Sequence, residues 1–290
     1  GSSVRIVLMW AVSRTSVRQF ARSASNHARH GSVSPHSLSS KRLVTRFFSS
    51  SCRASAPSSY RHLCAAALPP LIVVLDMDEC LIHSTDFIDS SNSVRQFEAC
   101  RPSHVSTAEG IDSFPVEFRD GSGRTSSCLV LKRKGLDAFL DACCDAFETY
   151  VYTAGTQYYA DAVLDQVDSK RKLAGRLYRT DCLPVYGQMG PQYLKDLEAV
   201  VKRIGRNGDF TRVVLVDNNL LSFICQPQNG IPVPDFVGKP DEILPNVLDL
   251  LMHLSNEADV RQSLDRLFGL EAKLRSARES LLPPRQDSRL

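Results

Sequence analysis

A buried strand that ends in two aspartates constrains this chain most. Residues 71–75 have the sequence LIVVL, a continuous apolar run after two prolines, which is the pattern of a strand buried on both faces. Asp76 and Asp78 come directly after it. In a parallel α/β sheet, ligands bind beyond the carboxyl ends of the strands, and two carboxylates this close together need a cation or a shared proton to offset their repulsion. The pair therefore indicates a magnesium-dependent site for phosphoryl transfer.

Two other apolar runs also end in polar side chains. The run within 149–155 ends in Thr153, and the run within 212–219 ends in Asp217 and Asn218. Each polar residue has an ordinary alternative as a strand-end hydroxyl or a turn, and an Asp-x-Asp pair by itself is common in solvated turns. Hydroxyl, carboxylate and amide groups at three strand ends nevertheless favour a site that binds phosphate and a metal ion.

A lysine completes the predicted site. Residues 193–205 carry apolar side chains that recur at intervals of three and four, which predicts an amphipathic helix with Lys195 in its first turn. The ordinary alternative for this lysine is a solvated charge on the helix surface. Together with three polar strand ends, however, it favours binding of a phosphate.

The rest of the pattern predicts one α/β domain. Residues 114–132 favour a β-hairpin around Asp120, after a polar loop. Helices are predicted over 135–147, 156–167, 191–205, 241–255 and 257–282. We expect a domain over 70–270, which is long enough for one core. A basic segment over 1–69 precedes it, and the end of the last helix and a tail over 271–290 follow.

Four segments, taken in order, resemble the motifs of the haloacid-dehalogenase superfamily. They are DMDECLIHS at 76–84, YVYTAG at 150–155, YLKDL at 193–197 and VLVDNN at 214–219. More narrowly, residues 70–270 resemble the FCP/SCP-type (NLI-interacting-factor-like) phosphatases, which act on phosphoserine in proteins. The resemblance implies a haloacid-dehalogenase-like Rossmannoid fold, in which helices flank a parallel sheet and a small β-hairpin insertion follows the first strand.

The resemblance also implies a reaction in two steps. Asp76 would attack phosphorus and form an aspartyl-phosphate, and Asp78 would protonate the leaving oxygen and then activate the hydrolytic water. Thr153 and Lys195 would hold the phosphate oxygens, and the lysine would offset charge in the transition state. These four residues form the predicted catalytic set.

Mg²⁺ is the cofactor that the resemblance implies. Its protein ligands would be the Asp76 carboxylate, the Asp78 backbone carbonyl and the Asn218 side chain, with water and phosphate completing the coordination. Asp217 would orient either Lys195 or the metal-bound waters from outside the ligand set.

The chain departs from the family pattern at three places. Cys80 stands where threonine is usual, Asn219 and Leu220 replace Ser-Pro, and 186–197 lacks the basic residue that often precedes the glycine. We expect a looser metal loop and weaker binding of phosphopeptides, while every predicted catalytic group is kept.

The N-terminal segment has the composition of a mitochondrial transit peptide. The first 75 residues contain ten Lys or Arg and no Asp or Glu, and they are rich in Ser. The whole chain has a net charge of +3, and removing these ten positive charges leaves −7 on residues 76–290. The sequence RFFSS at 46–50 resembles the junction cut by the matrix processing peptidase, here after Phe48. The alternatives are a basic tail that binds nucleic acid or anionic lipid, and a disordered segment.

Other classes of site find no support in the sequence. No run reaches the roughly 18 apolar residues of a membrane span. The nine cysteines include no Cys-x-x-Cys pair and support neither a zinc site nor a disulfide framework. Nucleic acid is not expected as a partner of the folded part.

Two function classes remain. The first is a mitochondrial phosphoprotein phosphatase of the matrix or inner membrane. The second is a binding module: one branch of the family is the presequence-receptor subunit of the mitochondrial inner-membrane translocase, in which many members keep the fold and have lost catalytic residues. Its partners would be presequences and translocase subunits. Residues 226–233 and 259–264 are more similar to the receptor branch, whereas the intact motifs and the missing membrane span favour the enzyme. A structural subunit of a larger mitochondrial assembly is the third interpretation.

Overall fold

The computed structural model describes residues 68–85, 88–89, 111–187 and 190–281. The predicted presequence, with its cleavage point after Phe48, lies outside the described residues, as does most of the polar loop that follows the first strand. All four motifs lie within them. The predicted domain boundaries stay predictions.

The described part of the chain contains both strands and helices. In chain order the strands are β1 (Ile72–Leu75), β2 (Ile82–Ser84), β3 (Ile88–Asp89), β4 (Ser113–Arg119), β5 (Thr125–Lys132), β6 (Glu148–Tyr152), β7 (Gly175–Leu177), β8 (Leu183–Gly187), β9 (Gly190–Leu194), β10 (Val213–Asp217) and β11 (Gly230–Pro232). The helices are α1 (Leu136–Ala146), α2 (Gln157–Val167), α3 (Glu198–Arg203), α4 (Ile243–Leu254), α5 (Arg261–Phe268) and α6 (Leu270–Leu281).

A five-stranded parallel sheet forms the centre of the molecule, with the strand order β11-β10-β1-β6-β7. All four residues of β1 are buried, as its uninterrupted apolar sequence requires of a strand in the middle of such a sheet. Leu75 of β1 pairs with Val216 of β10 on one side and with Val151 of β6 on the other. The carboxyl ends of these three strands therefore meet at one edge, and the predicted α/β fold with a parallel sheet is confirmed.

The helices contribute apolar faces whose buried positions recur at intervals of three and four. In α1 these positions are Leu136, Phe139, Leu140 and Cys143, and in α2 they are Tyr159, Ala160, Val163, Leu164 and Val167. They join the sheet in one apolar core, and each fully buried Leu or Val side chain contributes about 1.5–3 kcal/mol of stability. Among the described helices, none has the length and apolar composition needed to cross a membrane.

The predicted hairpin at 114–132 is present as β4 and β5, which pair antiparallel. The Asp120 carboxylate closes its turn by accepting hydrogen bonds from the amides of Ser122 and Arg124, at 2.9 and 3.0 Å. Strands β2 and β3 also pair with β5. Because β2 follows the two aspartates by only a few residues, the insertion is attached directly to the loop that carries them.

The helix predicted over 191–205 is wrong in its first half. Strand β9 occupies that half and pairs antiparallel with β8, and α3 begins only at Glu198. Lys195 therefore lies in the short connection between a strand and a helix, and not in a helical turn. The apolar spacing led to a wrong prediction because Leu194 and Leu197 are both buried. A strand end followed by a helix start gives the same interval of three residues as a helix.

The long helix predicted over 257–282 is divided into α5 and α6. Gly269 separates them in a left-handed conformation, with φ of 58°, which glycine adopts without a steric clash. The apolar periodicity continues across this break, so it could not reveal the change of direction.

Candidate active site

Three strand ends and one strand–helix connection bring the predicted site residues to the same edge of the sheet. Asp76 and Asp78 follow β1, Thr153 follows β6, and Asp217 is the last residue of β10. Because β1 lies between β10 and β6, these ends are neighbours in space. The remaining members of the set, Asn218 and Lys195, follow β10 and β9.

Lys195 binds two of the carboxylates. Its Nζ donates hydrogen bonds to Asp76 Oδ1 and, at 2.5 Å, to Asp217 Oδ2. The three side chains are almost fully buried, with exposed fractions of 3%, 9% and 1% for Lys195, Asp76 and Asp217. Burial by itself lowers the pKa of the Lys195 ammonium, but the carboxylates of Asp217 and Asp76 more than offset this and raise it. Lys195 is therefore a buried positive charge that holds the Asp76 carboxylate in place. Asp217 in turn orients the Lys195 side chain.

The acidic residues outnumber the positive charge beside them. Burial raises the pKa of Asp76, the neighbouring Asp217 carboxylate raises it further, and Lys195 opposes both. With Asp76 and Asp217 ionised and Lys195 protonated, the formal charge of the cluster is −1, and it becomes −2 when Asp78 is ionised as well. Because uncompensated buried charge is strongly unfavourable, this balance suits the binding of a divalent cation.

Asp78 is held by two hydroxyl groups. Tyr159 Oη donates to Asp78 Oδ1 at 2.5 Å, and Thr153 Oγ1 donates to Asp78 Oδ2 at 3.3 Å. Burial raises the pKa of Asp78, and the hydrogen bonds from Tyr159 and Thr153 act in the opposite direction. A carboxyl with a raised pKa and a fixed orientation is suited to give up and regain a proton.

Gly155 lets the backbone approach these groups closely. Its amide donates to Thr153 Oγ1 at 2.9 Å, which orients the threonine hydroxyl. A Cβ at this position would lie 3.2 Å from Thr153 Oγ1 and 3.3 Å from Tyr159 Cδ1. Contacts this short force a neighbouring atom to move, so the absence of a side chain is what allows this arrangement.

Asn218 offers a buried acceptor that no group among the described residues uses. Its Nδ2 donates to Asp235 Oδ1 at 3.0 Å, which fixes the orientation of the amide, and its Oδ1 is buried without a hydrogen-bond partner. Buried polar atoms without partners are rare, so this oxygen fits the predicted role of metal ligand. The described residues hold no group of three or more His, Cys, Asp or Glu side chains able to bind a metal. The predicted set of one carboxylate, one backbone carbonyl and one amide stays a prediction.

The two departures from the family pattern next to the site have local substitutes. Cys80 is buried with its Sγ 3.9 Å from the carbonyl oxygen of Val216, and burial raises the pKa of its thiol, which stays protonated. In the metal loop, the Asn219 amide donates to Asp217 Oδ1 at 2.7 Å, and its side chain accepts from Leu221 N at 3.1 Å. These hydrogen bonds connect Asn219 to Asp217 and Leu221, and the looser metal loop stays a prediction.

Sequence reasoning missed two polar residues of the site. Tyr159 lies on the apolar face of α2, where the spacing predicts an aromatic residue of the core. The only signal for it was its place in the first turn of the helix that follows the Thr153 strand end. Asp235 lies in a proline-rich stretch whose composition indicates only a loop, and no pattern in the sequence connects it with Asn218.

Comparisons with known proteins identify the family to which the chain belongs. The family described as "NLI interacting factor-like phosphatase" matches residues 71–261. The chain is 34% identical over 196 residues to the "CTD nuclear envelope phosphatase 1 homolog" of Drosophila melanogaster, which covers 67% of this chain and 71% of that protein. It is 36% identical over 194 residues to the "Probable C-terminal domain small phosphatase" of Dictyostelium discoideum, with 67% and 53% covered.

Among solved structures, the structure of this chain is similar to that of Fcp1, which is described as an essential RNA polymerase II CTD phosphatase. The two share 25% sequence identity with a TM-score of 0.42, over 67% of this chain and 52% of that chain. The chain belongs to the NLI interacting factor-like phosphatases, which confirms the resemblance to FCP/SCP-type protein phosphatases carried by its four motifs.

Proposed function

We propose that this chain is a magnesium-dependent phosphatase that removes phosphate from serine or threonine in proteins, through an aspartyl-phosphate on Asp76. The observation that carries the proposal is the arrangement of two aspartates at the end of β1. Asp76 is fixed by a buried lysine, and Asp78, two residues later, is fixed by Tyr159 and Thr153. One carboxylate is thus oriented by a positive charge and the other by hydroxyl groups, as a nucleophile and a proton donor require.

The proposed reaction has two steps. In the first, Asp76 attacks phosphorus, the bond from phosphorus to the serine oxygen breaks, and Asp78 gives its proton to that oxygen. In the second, Asp78 takes a proton from a water molecule that attacks the aspartyl-phosphate, which releases phosphate and restores Asp76. Lys195 and Thr153 would bind the phosphate oxygens, and the charge of Lys195 would offset negative charge in the transition state.

The side chains fit a magnesium ion in this site. Phosphatases of this type generally depend on a metal. The Asp76 carboxylate, the Asp78 backbone carbonyl and the buried Asn218 Oδ1 would hold the ion here. When bound, Mg²⁺ would reduce the repulsion between the nucleophile and the phosphate dianion. The net negative formal charge of the surrounding groups supports this assignment.

We propose that this activity is located in mitochondria, at the matrix or inner membrane, because of the N-terminal composition. Ten basic and no acidic residues precede Asp76, and a processing-like junction lies at 46–50. The Drosophila relative is called a nuclear envelope phosphatase. That name concerns the relative and does not give the location of this chain. Import of a reporter carrying the N-terminal segment tests the location of this chain.

The presequence receptor stays as the second candidate function. The charge of −7 on residues 76–290 is what favours it, because a presequence is basic. A receptor has no need for a lysine buried between two carboxylates, whereas a phosphatase does, and the enzyme therefore remains the first candidate. A structural role in a larger assembly stays a prediction with no further support.

The enzyme proposal is tested by replacing Asp76 with asparagine, which keeps the shape and removes the nucleophile. Magnesium-dependent hydrolysis of a generic phosphate ester should fall by at least about a thousandfold, since loss of a covalent nucleophile costs several factors of ten at about 1.4 kcal/mol each. Asp141→Asn is the matched control, because Asp141 lies on α1 in a surface ion pair with Lys170. Equal rates for Asp76→Asn and the parent, or a parent without activity at any metal concentration, would refute the proposal.

A further inference from the structure

Arg133 is a fully buried arginine close to the candidate active site. It lies between β5 and α1, and its side chain has an exposed fraction of 0%. Its neighbours Lys132 and Lys134 are partly exposed and form ion pairs at the surface. The chain thus turns only the middle one of three consecutive basic residues inward. A buried guanidinium needs partners for its donors, because an unpaired buried charge is strongly unfavourable.

The guanidinium finds these partners in separate parts of the chain. Nη1 donates to the carbonyl oxygen of Cys80 at 2.8 Å, and Nη2 donates to that of Pro234 at 3.0 Å. Nε and Nη2 also bind the Asp241 carboxylate, at 3.1 and 2.7 Å. The donors of the guanidinium are spread over three nitrogens in a rigid fork and bind three such partners at once, whereas the donors of a lysine all lie on one nitrogen.

Two of these contacts lie next to groups that would hold the metal ion. We call residues 76–81 the nucleophile loop and residues 233–241 the crossing segment. Cys80 in the nucleophile loop follows Asp78 by two residues. Pro234 in the crossing segment precedes Asp235, which orients the Asn218 amide.

The nucleophile loop and the crossing segment also touch directly. The Phe236 amide donates to the carbonyl oxygen of Glu79 at 2.7 Å. The Phe236 side chain is buried, and the Arg133 guanidinium lies 5.6 Å from the centre of its ring. Arg133 therefore supports a contact between two segments that each determine the place of one predicted ligand.

We propose that Arg133 is a positioning residue for the magnesium site, an inference that rests on the proposed function. It sets the distance between the Asp78 carbonyl, through Cys80, and the Asn218 oxygen, through Pro234 and Asp235. Its described contacts are with protein groups, so it would act on the metal site through them. Mg²⁺ requires near-ideal octahedral geometry with short ligand distances, so a small change in this spacing lowers its affinity.

A second buried arginine allows this role to be separated from general support of the fold. Arg212 precedes β10 and therefore lies at the opposite edge of the sheet from the site. Its guanidinium donates to three carbonyl oxygens, those of Pro69 at 2.5 Å, Ser255 at 3.0 Å and Glu257. It resembles Arg133 in burial and in its backbone partners, and differs in location.

The experiment compares Arg133→Lys and Arg212→Lys in the full chain. Binding of Mg²⁺ alone is measured by isothermal titration calorimetry, and independently by the rise of Tm with Mg²⁺ concentration, from which the Kd follows. Arg133→Lys should raise the Kd for Mg²⁺ about tenfold, which corresponds to about 1.4 kcal/mol. Without Mg²⁺, Arg212→Lys should lower Tm by about as much as Arg133→Lys does. Its Kd for Mg²⁺ should stay within about twofold of the parent value.

Each outcome has a distinct meaning. If both variants lose similar stability and Arg133→Lys keeps the Kd of the parent, Arg133 is a structural brace and the inference is overturned. If Arg133→Lys does not fold, Asp241→Asn takes its place, because it weakens the hold on Arg133 without removing the guanidinium. A Kd for Mg²⁺ about threefold higher in Asp241→Asn than in the parent supports the inference, and an unchanged Kd in that variant overturns it. A parent that binds no Mg²⁺ overturns the proposed metal site itself, and the inference with it.

Discussion

Tyr159 donates a hydrogen bond of 2.5 Å to Asp78, and its hydroxyl is shared with Ser84. This contact joins α2 to the loop after β1. The tyrosine ring also packs on Phe118 of the insertion, with 5.6 Å between the ring centres. Because Asp78 has to lose and regain a proton in the proposed reaction, one tyrosine connects the acid of the site to both the core and the insertion.

Tyr159→Phe should lower kcat about tenfold, because it releases Asp78 from its fixed orientation while keeping the ring that packs on Phe118. The loss of stability should stay near 1 kcal/mol, as for one hydrogen bond. Tyr178→Phe is the control, since Tyr178 donates a similar bond of 2.6 Å to Asp161 elsewhere on α2. Steady-state kinetics of both variants are compared, and equal kcat values would contradict the role of Tyr159.

Lys195→Met should destabilise the fold by about 3–5 kcal/mol at neutral pH, because it leaves two buried carboxylates without their positive partner. Lys170→Met should cost at most about 1 kcal/mol, because Lys170 is paired with Asp141 at the surface. Denaturant unfolding of both variants and the parent measures the difference. Comparable losses for the two lysines would show that the buried pairs do not stabilise the fold.

The cost of Lys195→Met should depend on pH. Without the lysine, burial and the Asp217 carboxylate raise the pKa of Asp76 without opposition. A carboxyl whose pKa is higher in the folded than in the unfolded state binds protons preferentially when folded, so stability falls as pH rises above the unfolded value. The loss relative to the parent should therefore be smaller at pH 5 than at pH 8. A loss that is the same at both values would contradict this cause.

Gln226→Leu should lower kcat several-fold with a stability loss of about 1–2 kcal/mol, because it frees the chain around Lys195. Gln226 Nε2 donates to Asp196 Oδ1 at 2.7 Å, and its Oε1 accepts from Leu197 N at 3.0 Å. Gln166→Leu is the matched control, since Gln166 donates one bond to a carbonyl of the insertion. Kinetics at saturating Mg²⁺ decide the matter, and a full kcat in Gln226→Leu would exclude this support of Lys195.

Residues 1–60 fused to a reporter should enter mitochondria and be trimmed near Ser49. The reasons are the basic, acid-free composition and the junction at 46–50. Microscopy gives the location, and mass spectrometry of the recovered reporter gives its new N-terminus. An untrimmed reporter in the cytosol would refute mitochondrial targeting. The segment would then be better explained as a contact for nucleic acid or lipid.

The two candidate functions differ in what Asp76→Asn does to binding. If the chain is a phosphatase, the Asp76→Asn variant should bind a phosphopeptide in a magnesium-dependent way. It should bind a synthetic presequence only weakly. In a receptor, the presequence should bind parent and variant equally, and less tightly as salt is raised. Titration of both peptides against both proteins measures this. Salt-sensitive presequence binding without hydrolysis would replace the phosphatase as the primary function.

The strand ends were predictable because each is marked by an apolar run that stops at a polar residue. The sequence alone therefore places Asp76, Thr153 and Asp217 at one edge of a parallel sheet. What failed was the local conformation around Lys195, where a short strand and a short helix share one apolar spacing. Periodicity over a few residues does not distinguish the two.

The supporting residues were not predictable, because their partners are distant in sequence. Arg133 lies between two lysines and looks like one more surface charge, yet its partners are 53, 101 and 108 residues away. The amide of Asn218 is oriented by Asp235 in a loop with no periodic pattern. Motifs reveal the groups that do the chemistry, whereas the groups that hold them emerge only from the packing.

The position of β1 between β10 and β6 also determines when the site can exist. Residues 72–75 pair with 213–216, so the central pairing closes across a separation of 141 residues, as between Ile72 and Val213. Pairings of such long range form late in folding, after the local hairpins. Until β10 has been synthesised and has paired with β1, the chain carries its motifs without an assembled site. Any activity can begin only after this long-range pairing has formed.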